Sequence, residues 1–228
     1  GETRELNFEV EEDIIQLETV VISANKNETN RMEAPVVVHV MTPKLFENTN
    51  SVCLAQGLSF QPGLRVETNC QNCGFQQVRI NGLDGPYTQL LLDGKALFSS
   101  LNGVYGIEQI PAGMIERVEV MRGGGSALYG ANAIGGTVNI ITKEPLNNLF
   151  MISHNLIAIG NSAYDNTTSL NASLINGQRN AGLYIFGTSR HRQHYDHDGD
   201  HFSEIGELKL TTLGFRSYYK PSSQTKLT

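Results

Sequence analysis

RVEVMRGGGSALYGANAIGGTVNIITKEP, residues 117–145, holds two β-branched runs on either side of a glycine-rich interval. Val118 and Val120 alternate as in a strand, Gly123 and Gly125 follow, and TVNIIT (137–142) leads to Glu144. A dinucleotide site uses similar parts: a glycine turn after a strand, a helix whose N-terminus meets the pyrophosphate, and an acid about 20 residues on. The helix is missing here. A crossover between parallel strands takes about 10–12 residues or more, whereas the run from Ser126 is broken by Gly130 and ended by Gly135-Gly136. Leu128 stands where the third fingerprint glycine belongs, and no Gly-Lys-Ser/Thr occurs anywhere in the chain. The interval therefore reads as a tight excursion, lined with glycine, between two strands.

Working outward, 228 residues suffice for one or two domains with a real core. With 23 Gly, 8 Tyr and no Trp, the composition leans toward β structure rich in turns. No run approaches the roughly 18 apolar residues of a membrane helix, and the chain shows no signal-peptide pattern. Residues 1–20 carry Glu2, Glu5, Glu9, Glu11, Glu12, Asp13 and Glu18 against Arg4, which accounts for the whole net charge of −6. The remainder is balanced, so nothing suggests a nucleic-acid footprint.

Three textures follow one another. The acidic start ends in ETVVISA (18–24), a β-branched segment, and a polar linker follows it. Residues 30–143 mix short helices and strands. Thr42-Pro43 reads as an N-cap with proline at the first helical position, Ser51 as the cap of a second helix ending near Gly57, and VRI, TQLLLDG, RVEVM and TVNIIT as strands. From residue 148 the pattern becomes long alternating strands: TTSLNASLI (167–175) puts Leu170, Ala172 and Leu174 on one face and Ser169, Asn171 and Ser173 on the other, and Asn176-Gly177 reads as a hairpin turn. The apolar phase slips between Leu210 and Leu213. Short turns alternating with a long polar segment, RHRQHYDHDGDHFSE (190–204), fit an outer-membrane barrel; a soluble antiparallel sheet would alternate in the same way.

Together these residues resemble the N-terminal part of a TonB-dependent outer-membrane receptor of the Bacteroides type. ETVVISA resembles the TonB box, and LSFQPGLRV (58–66) the "PGV" segment. VRINGLDGPYTQLLLDG (78–94) is similar to the segment ending in Asp-Gly, and IPAGMIERVEVMRGGGSALYGANAIGGTVNIITK (110–143) to the long plug signature. Where the family has Arg-Gly-Pro, this chain has Arg122-Gly123-Gly124, which is expected to loosen the turn without moving it.

The resemblance implies an α+β plug domain followed by antiparallel strands of an incomplete transmembrane β-barrel. Its expected division is the end of a β-sandwich at 1–17, TonB box and linker at 18–29, plug at 30–145 and first barrel strands at 146–228. Family barrels have about 22 strands, of which about five fit after residue 148, so the chain is expected to be part of a longer protein. It is not expected to be an enzyme. The implied function is gated, energy-coupled import of cobalamin or a ferric siderophore across the outer membrane, with the plug facing the periplasm. Surface signalling, adhesion or glycan import are the alternatives. Implied partners are TonB, bound at Glu18, Thr19, Val20, Val21, Ile22 and Ser23 through an extended, unoccupied backbone, together with outer-membrane lipid and a surface lipoprotein. By position in the family, Asp84, Tyr87, Ser99, Asn102 and Tyr105 on two plug loops face the cargo.

Other residues keep alternatives open. Cys70 and Cys73 in NCQNCG suit a redox pair, half a zinc site or a local disulfide. The oxidising periplasm that the resemblance implies favours a Cys70–Cys73 disulfide, with Cys53 a buried helix cysteine. Arg117, Glu119 and Arg122 either form a site or pair charges between plug and wall, the second being expected. Asp196, Asp198, Asp200 and Glu207 have the one-three-five-twelve spacing of a calcium loop, although His201 occupies the EF-hand glycine position and helical flanks are absent. His191, His194, His197 and His201 offer a transition-metal alternative, and a solvated loop without metal is the third reading.

Overall fold

The computed structural model describes residues 20–23, 29–30, 33–70, 75–97, 106–160, 162–222 and 225–228. The expected β-sandwich end at 1–17 lies outside them. β1 (Val20–Val21) and β2 (Thr29–Asn30) form a short antiparallel ladder. β3 (Val38–Met41) opens a mixed sheet, and β4 (Leu64–Cys70) pairs with β5 (Phe75–Ile80) as a separate hairpin. β6 (Thr88–Leu92), β7 (Lys95–Ala96), β8 (Ile115–Arg122) and β9 (Gly136–Thr142) complete the mixed sheet in the spatial order β3-β8-β9-β6-β7.

β8 and β9, the strands of the opening stretch, are antiparallel neighbours, with Val120 opposite Val138 and Arg122 opposite Gly136. The chain between them folds back on itself, so the parallel geometry that a dinucleotide fold requires is absent at this point. The return is tight enough to demand glycine. Gly136 has φ of 143°, and a Cβ there would lie 2.3 Å from the Met121 carbonyl oxygen. Gly124 has φ of 65°, a value closed to proline, whose ring holds φ near about −65°. The Arg-Gly-Gly departure thus gives this turn a backbone path that Arg-Gly-Pro cannot follow.

α1 (Pro43–Asn48) begins after Thr42 with proline at its start, as the sequence indicates. α2 (Leu54–Leu58) is capped at Cys53 instead of Ser51. The Leu54 amide donates to the Ile110 carbonyl at 2.9 Å, a partner from a distant segment, while Ser51 Oγ pairs locally with Thr49 Oγ1 at 2.7 Å. Cys53 is buried and free. Cys70 is the last residue of β4, and Cys73 lies outside the described residues, as does the expected disulfide between them.

Every residue of β9 is buried, because the strand sits between β8 and β6 with cover on both faces. Phe46, Leu54, Leu58, Ile80, Ile107, Ile115, Val118, Val120, Val138 and Ile140 form the core that α1, α2 and this sheet share.

β10 (Leu149–Ile159), β11 (Ala163–Ile175), β12 (Ala181–Arg192), β13 (Leu208–Ser222) and β14 (Thr225–Leu227) form a second sheet, antiparallel and in chain order. Its polarity is reversed. Asp165, Thr167, Asn171 and Ser173 of β11 are buried against the α+β domain, while Leu174 is 58% exposed. Cross-strand registers place Phe150, Ala172, Ile185 and Phe215 in one outward row, and Ile152, Leu170, Gly187 and Leu213 in the next. Phe215 and Leu213 are 73% and 77% exposed. A soluble sheet turns its apolar face inward, whereas a contiguous apolar outer face with a polar inner one is the arrangement of a strand wall in lipid. The apparent phase slip is no bulge: β13 pairs with β12 without a register shift, with Leu210 pointing inward and Leu213 outward. No described helix is long and apolar enough to cross a membrane, which says nothing of strands.

The Asn176-Gly177 turn takes a different form from the two-residue hairpin expected. Residues 176–180 separate the strands, and Arg179 (φ 54°), not Gly177, adopts the left-handed conformation. The Asn176 side chain accepts from the Asn180 and Ala181 amides at 3.0 and 3.1 Å, which closes the loop.

Candidate functional site

The expected TonB-binding segment is the most heavily contacted candidate. Glu18 and Thr19 lie outside the described residues; Val20, Val21, Ile22 and Ser23 are held. Val20 and Val21 pair with Asn30 and Thr29, and the buried Val21 packs on Val38. The Ile22 and Ser23 amides donate to Glu119 Oε2 at 2.9 and 2.8 Å, and Ser23 Oγ donates to the same oxygen at 2.7 Å. Asn139 Nδ2 donates to Ser23 Oγ at 3.0 Å, and the Tyr129 hydroxyl donates to the Ser23 carbonyl at 3.1 Å. Arg117 Nε completes the carboxylate at 2.8 Å on Oε1. Glu119 and Ser23 are wholly buried. The backbone expected to be unoccupied is therefore occupied.

This corrects the reading of the Arg117, Glu119 and Arg122 charges as plug–wall pairs. Arg117 and Glu119 sit two positions apart on β8 and share one face, so they meet each other. Arg122 donates to the Pro62 carbonyl in the same domain. Contacts to the wall come from other residues. Arg216 on β13 donates to the Thr142 carbonyl at 3.0 Å and to Glu144 at 2.9 Å, and lies 3.3 Å from Asp93. Asp93 in turn accepts from the Thr142 amide and hydroxyl at 2.9 and 2.7 Å. Lys226 also reaches Glu144, at 2.7 Å. Tyr184 from β12 enters the α+β core and donates to the Gly113 carbonyl at 2.7 Å. An inward-facing arginine on an alternating strand was the available sequence signal for Arg216; for Asn139 it was a polar residue inside TVNIIT, since a buried amide must find partners.

Of the expected cargo-facing residues, Asp84 and Tyr87 are described and exposed; Ser99, Asn102 and Tyr105 fall outside the described residues. Asp84 pairs with Arg79 at 3.0 Å. The Tyr87 carbonyl accepts from the Gly135 amide at 2.8 Å, so this loop braces the glycine excursion. Neither residue lines the cleft of about 420 Å³ between domain and wall, which Thr68, Gln76 and Glu108 border on one side and Asp165, Arg190 and Arg192 on the other. Arg190 and Asp165 are buried there in a two-pronged ion pair, with Nη2 at 2.6 Å and Nε at 3.0 Å. Glu204–Gly206 border the cleft as well, so it opens toward the long loop at 193–207.

In that loop the structure gathers Asp196, Asp198 and Asp200 with Glu204, carboxylate atoms within 4.8 Å of one another. Glu207 is not in the group. It bonds Lys209 at 2.7 Å and meets His191 at 3.4 Å, and these two partners, Lys209 foremost, hold its carboxyl below the usual range. The EF-hand spacing failed because this loop is closed by a strand-like contact between Tyr195 and Ile205, which brings residue 204 to the acids. The all-oxygen donors suit a hard cation better than a soft one. The histidines do not converge: His197 Nδ1 meets Tyr195, and His191 meets Glu207.

Comparison with known proteins agrees with this geometry. The TonB-dependent Receptor Plug Domain family matches residues 30–137. Over 127 residues the chain is 35% identical to a vitamin B12 transporter, BtuB, of Vibrio vulnificus (strain CMCP6), covering 56% of this chain and 21% of the relative. The chain thus spans about a fifth of that curated relative's length. The siderophore receptor PirA from Acinetobacter baumannii superposes with a TM-score of 0.70 at 23% identity, over 83% of this chain and 30% of that one. FpvA of P. aeruginosa, bound to a heterologous pyoverdine, superposes with a TM-score of 0.68 at 18% identity, over 91% of this chain and 26% of that one. At such identities the superpositions establish a shared fold. The domain through which Glu119 runs, residues 30–137, is a plug of the TonB-dependent receptor family.

Proposed function

We propose that the protein is a TonB-dependent importer of the outer membrane, with its plug facing the periplasm, that carries cobalamin or a ferric siderophore. The observation that supports this reading is the reversed polarity of the wall beside a packed plug, with an apolar face turned outward, as suits lipid, and a polar face turned to the plug. The likeness to a vitamin B12 transporter ranks cobalamin first. The cleft beside Glu108, Asp165 and Arg192, on the side of the long loop, offers cargo a polar entrance. The family is one of receptors and transporters, so no catalytic step is assigned.

Energy coupling would run through capture of Val20–Ser23 by TonB, which adds the segment to its own sheet through main-chain hydrogen bonds. The test is uptake of labelled cyanocobalamin and of ferric siderophores by cells carrying the full-length receptor, with and without TonB. Val20→Pro and Val21→Pro, each removing a backbone donor, are expected to abolish uptake while cargo still binds. Normal uptake in both variants would overturn the assignment of this segment. Cargo binding without any TonB-dependent uptake would favour a signalling or adhesion receptor, and uptake of oligosaccharides a glycan importer.

A further inference from the structure

We propose, resting on the reading of the protein as an importer, that cargo crosses the seam between wall and plug along the inner faces of β10 and β11, while β12 and β13 hold the plug in place. Two clefts lie end to end on these two strands. The upper one, of about 420 Å³, opens toward the long loop and has Ile157 and Ile159 of β10 and Asp165 of β11 on its wall side. The lower one, of about 340 Å³, has Ser153 and Asn155 of β10 and Thr167 and Ser169 of β11 on its wall side, with Ser51 and Gly113 among the plug residues that border it. Asn155 pairs with Thr167, and Ile157 with Asp165. The clefts therefore meet within two residues, about 7 Å, along both strands. The buried ion pair of Asp165 with Arg190 stands at this junction, since Arg190 lies opposite Thr167. On the plug side Cys53 closes it, with Sγ 3.7 Å from Arg190 Nη1.

The seam is tied unevenly. From β12, Tyr184 donates to the Gly113 carbonyl at 2.7 Å and Arg192 meets Glu108 at 3.7 Å. From β13, the Thr212 hydroxyl donates to the Gln109 carbonyl at 3.2 Å and Arg216 to the Thr142 carbonyl at 3.0 Å. The side-chain hydrogen bond that β10 makes, His154 with Thr168, stays within the wall. Met151 and Ile157, which point inward from β10, are 42% and 38% exposed, whereas Tyr184 and Arg190 of β12 are each 3% exposed. Parting two surfaces costs least where few hydrogen bonds cross and little apolar area is covered. Clefts of this size suit ligands smaller than a corrinoid, so for such a cargo the seam has to widen, and β10 is where the plug holds it least. Ser153, Asn155, Thr167 and Ser169 are short and uncharged. They can hydrogen-bond a passing polar cargo without fixing it in an ion pair.

The route is tested in cells that carry the full-length receptor, with cyanocobalamin bearing a photoreactive diazirine as the probe. During TonB-dependent uptake, cross-links are expected on residues 151–159 and 163–171, and in cells without TonB only at the loop end of these strands. Cross-links on the inward residues of β13 in place of these would overturn the route. Ser153→Trp and Ser169→Trp each fill the lower cleft from the wall side. Both are expected to abolish uptake of labelled cyanocobalamin while the receptor binds it as the wild type does. Ser153 is exposed, so its variant keeps the test available if Ser169→Trp does not fold. Full uptake by a folded Ser153→Trp receptor would refute the route and leave the importer reading standing. A wild type that takes up no cyanocobalamin with TonB present would remove that reading for this cargo, and the route with it.

Discussion

β9 and β11 are both rich in β-branched and small polar residues, yet the two strands use them in opposite senses. β9 is buried throughout, and its polar residue Asn139 is accepted only because Ser23 and Gly94 complete its hydrogen bonds. β11 buries Asp165, Thr167, Asn171 and Ser173 and turns Leu170, Ala172 and Leu174 outward. The plug core is covered on both faces and mostly apolar, with Glu119 and Asn139 buried in it. The wall's inner face packs on the plug, whereas its outer face turns apolar side chains such as Leu213 and Phe215 away from it. Long side chains, among them Tyr184, Arg190, Arg216 and Lys226, cross the seam from wall to plug.

The largest effect is expected from making the same change in both sheets. Ile140→Ala leaves a cavity among closely packed neighbours and should destabilise the plug by about 2–5 kcal/mol. Ile185→Ala lies in the outward row with Ala172 and Phe215, where lipid chains of the proposed outer membrane would fill the space, so no cavity contribution and a smaller loss are expected. Urea unfolding of the full-length receptor in vesicles, read by proteolysis of the plug and by strand content, measures both. Equal losses would break the contrast between core and lipid face.

A charge sharpens it further. Phe215→Arg places a guanidinium in the outward apolar row, where the penalty near the bilayer midplane is about 2–4 kcal/mol. Reduced insertion into vesicles is the expected result, and normal insertion would mean that the outer face meets water.

The strands could be read from the sequence because a period of two is visible without tertiary information. Which face is buried could not, since alternation in TTSLNASLI is the same whether the leucines meet a core or a lipid chain. The same ignorance of neighbours explains the smaller misses. Ser51 has the chemistry of a cap, but the first free amide of α2 found Ile110 across the fold. Glu119 and Arg122 promised a wall contact because partners of theirs, the Ile22 and Ser23 amides and the Pro62 carbonyl, are backbone groups that no charge pattern reveals. Gly123–Gly136 was legible as a glycine-bound return, because backbone conformation is a local property.

Cys53 probes the seam itself. Burial pushes its thiol above the ordinary value of 9.0, opposed in part by the Arg190 guanidinium, whose Nη1 lies 3.7 Å from the sulfur. Above pH 9.0 the unfolded chain loses this proton while the folded chain retains it, so the unfolded state binds fewer protons and stability falls as pH rises. The slope is at most about 1.4 kcal/mol per pH unit for one group. Relative to Cys53→Ala, the wild type is expected to lose stability beyond pH 9, and its Cys53 to stay unlabelled by maleimide until the plug unfolds. Rapid labelling of the folded receptor would show that plug and wall part readily here.

The smallest expected effect belongs to the wall's long loop, whose acids lie largely at the surface. Asp196, Asp198, Asp200 and Glu204 bring like charges within 4.8 Å, which repel unless a cation or water lies between them. The loop's own backbone relieves part of this: Asp196 accepts from the Gly199 and His201 amides, and Asp198 and Asp200 from the amides of Asp200 and Phe202. A calcium ion, which takes six to eight oxygens, is proposed to relieve the rest and to hold the neck between Tyr195 and Ile205 closed. Calcium at about 10⁻⁴–10⁻³ M, the range of extracellular sites, should slow trypsin cleavage after Arg192 and Lys209 in the intact receptor, and zinc should do so less. Glu204→Ala should remove the protection while Glu207→Ala leaves it, because Glu207 is turned to Lys209 and His191. Protection lost with Glu207→Ala but kept with Glu204→Ala would restore the spacing read from sequence over the geometry, and no calcium effect in either would leave the tract a solvated loop.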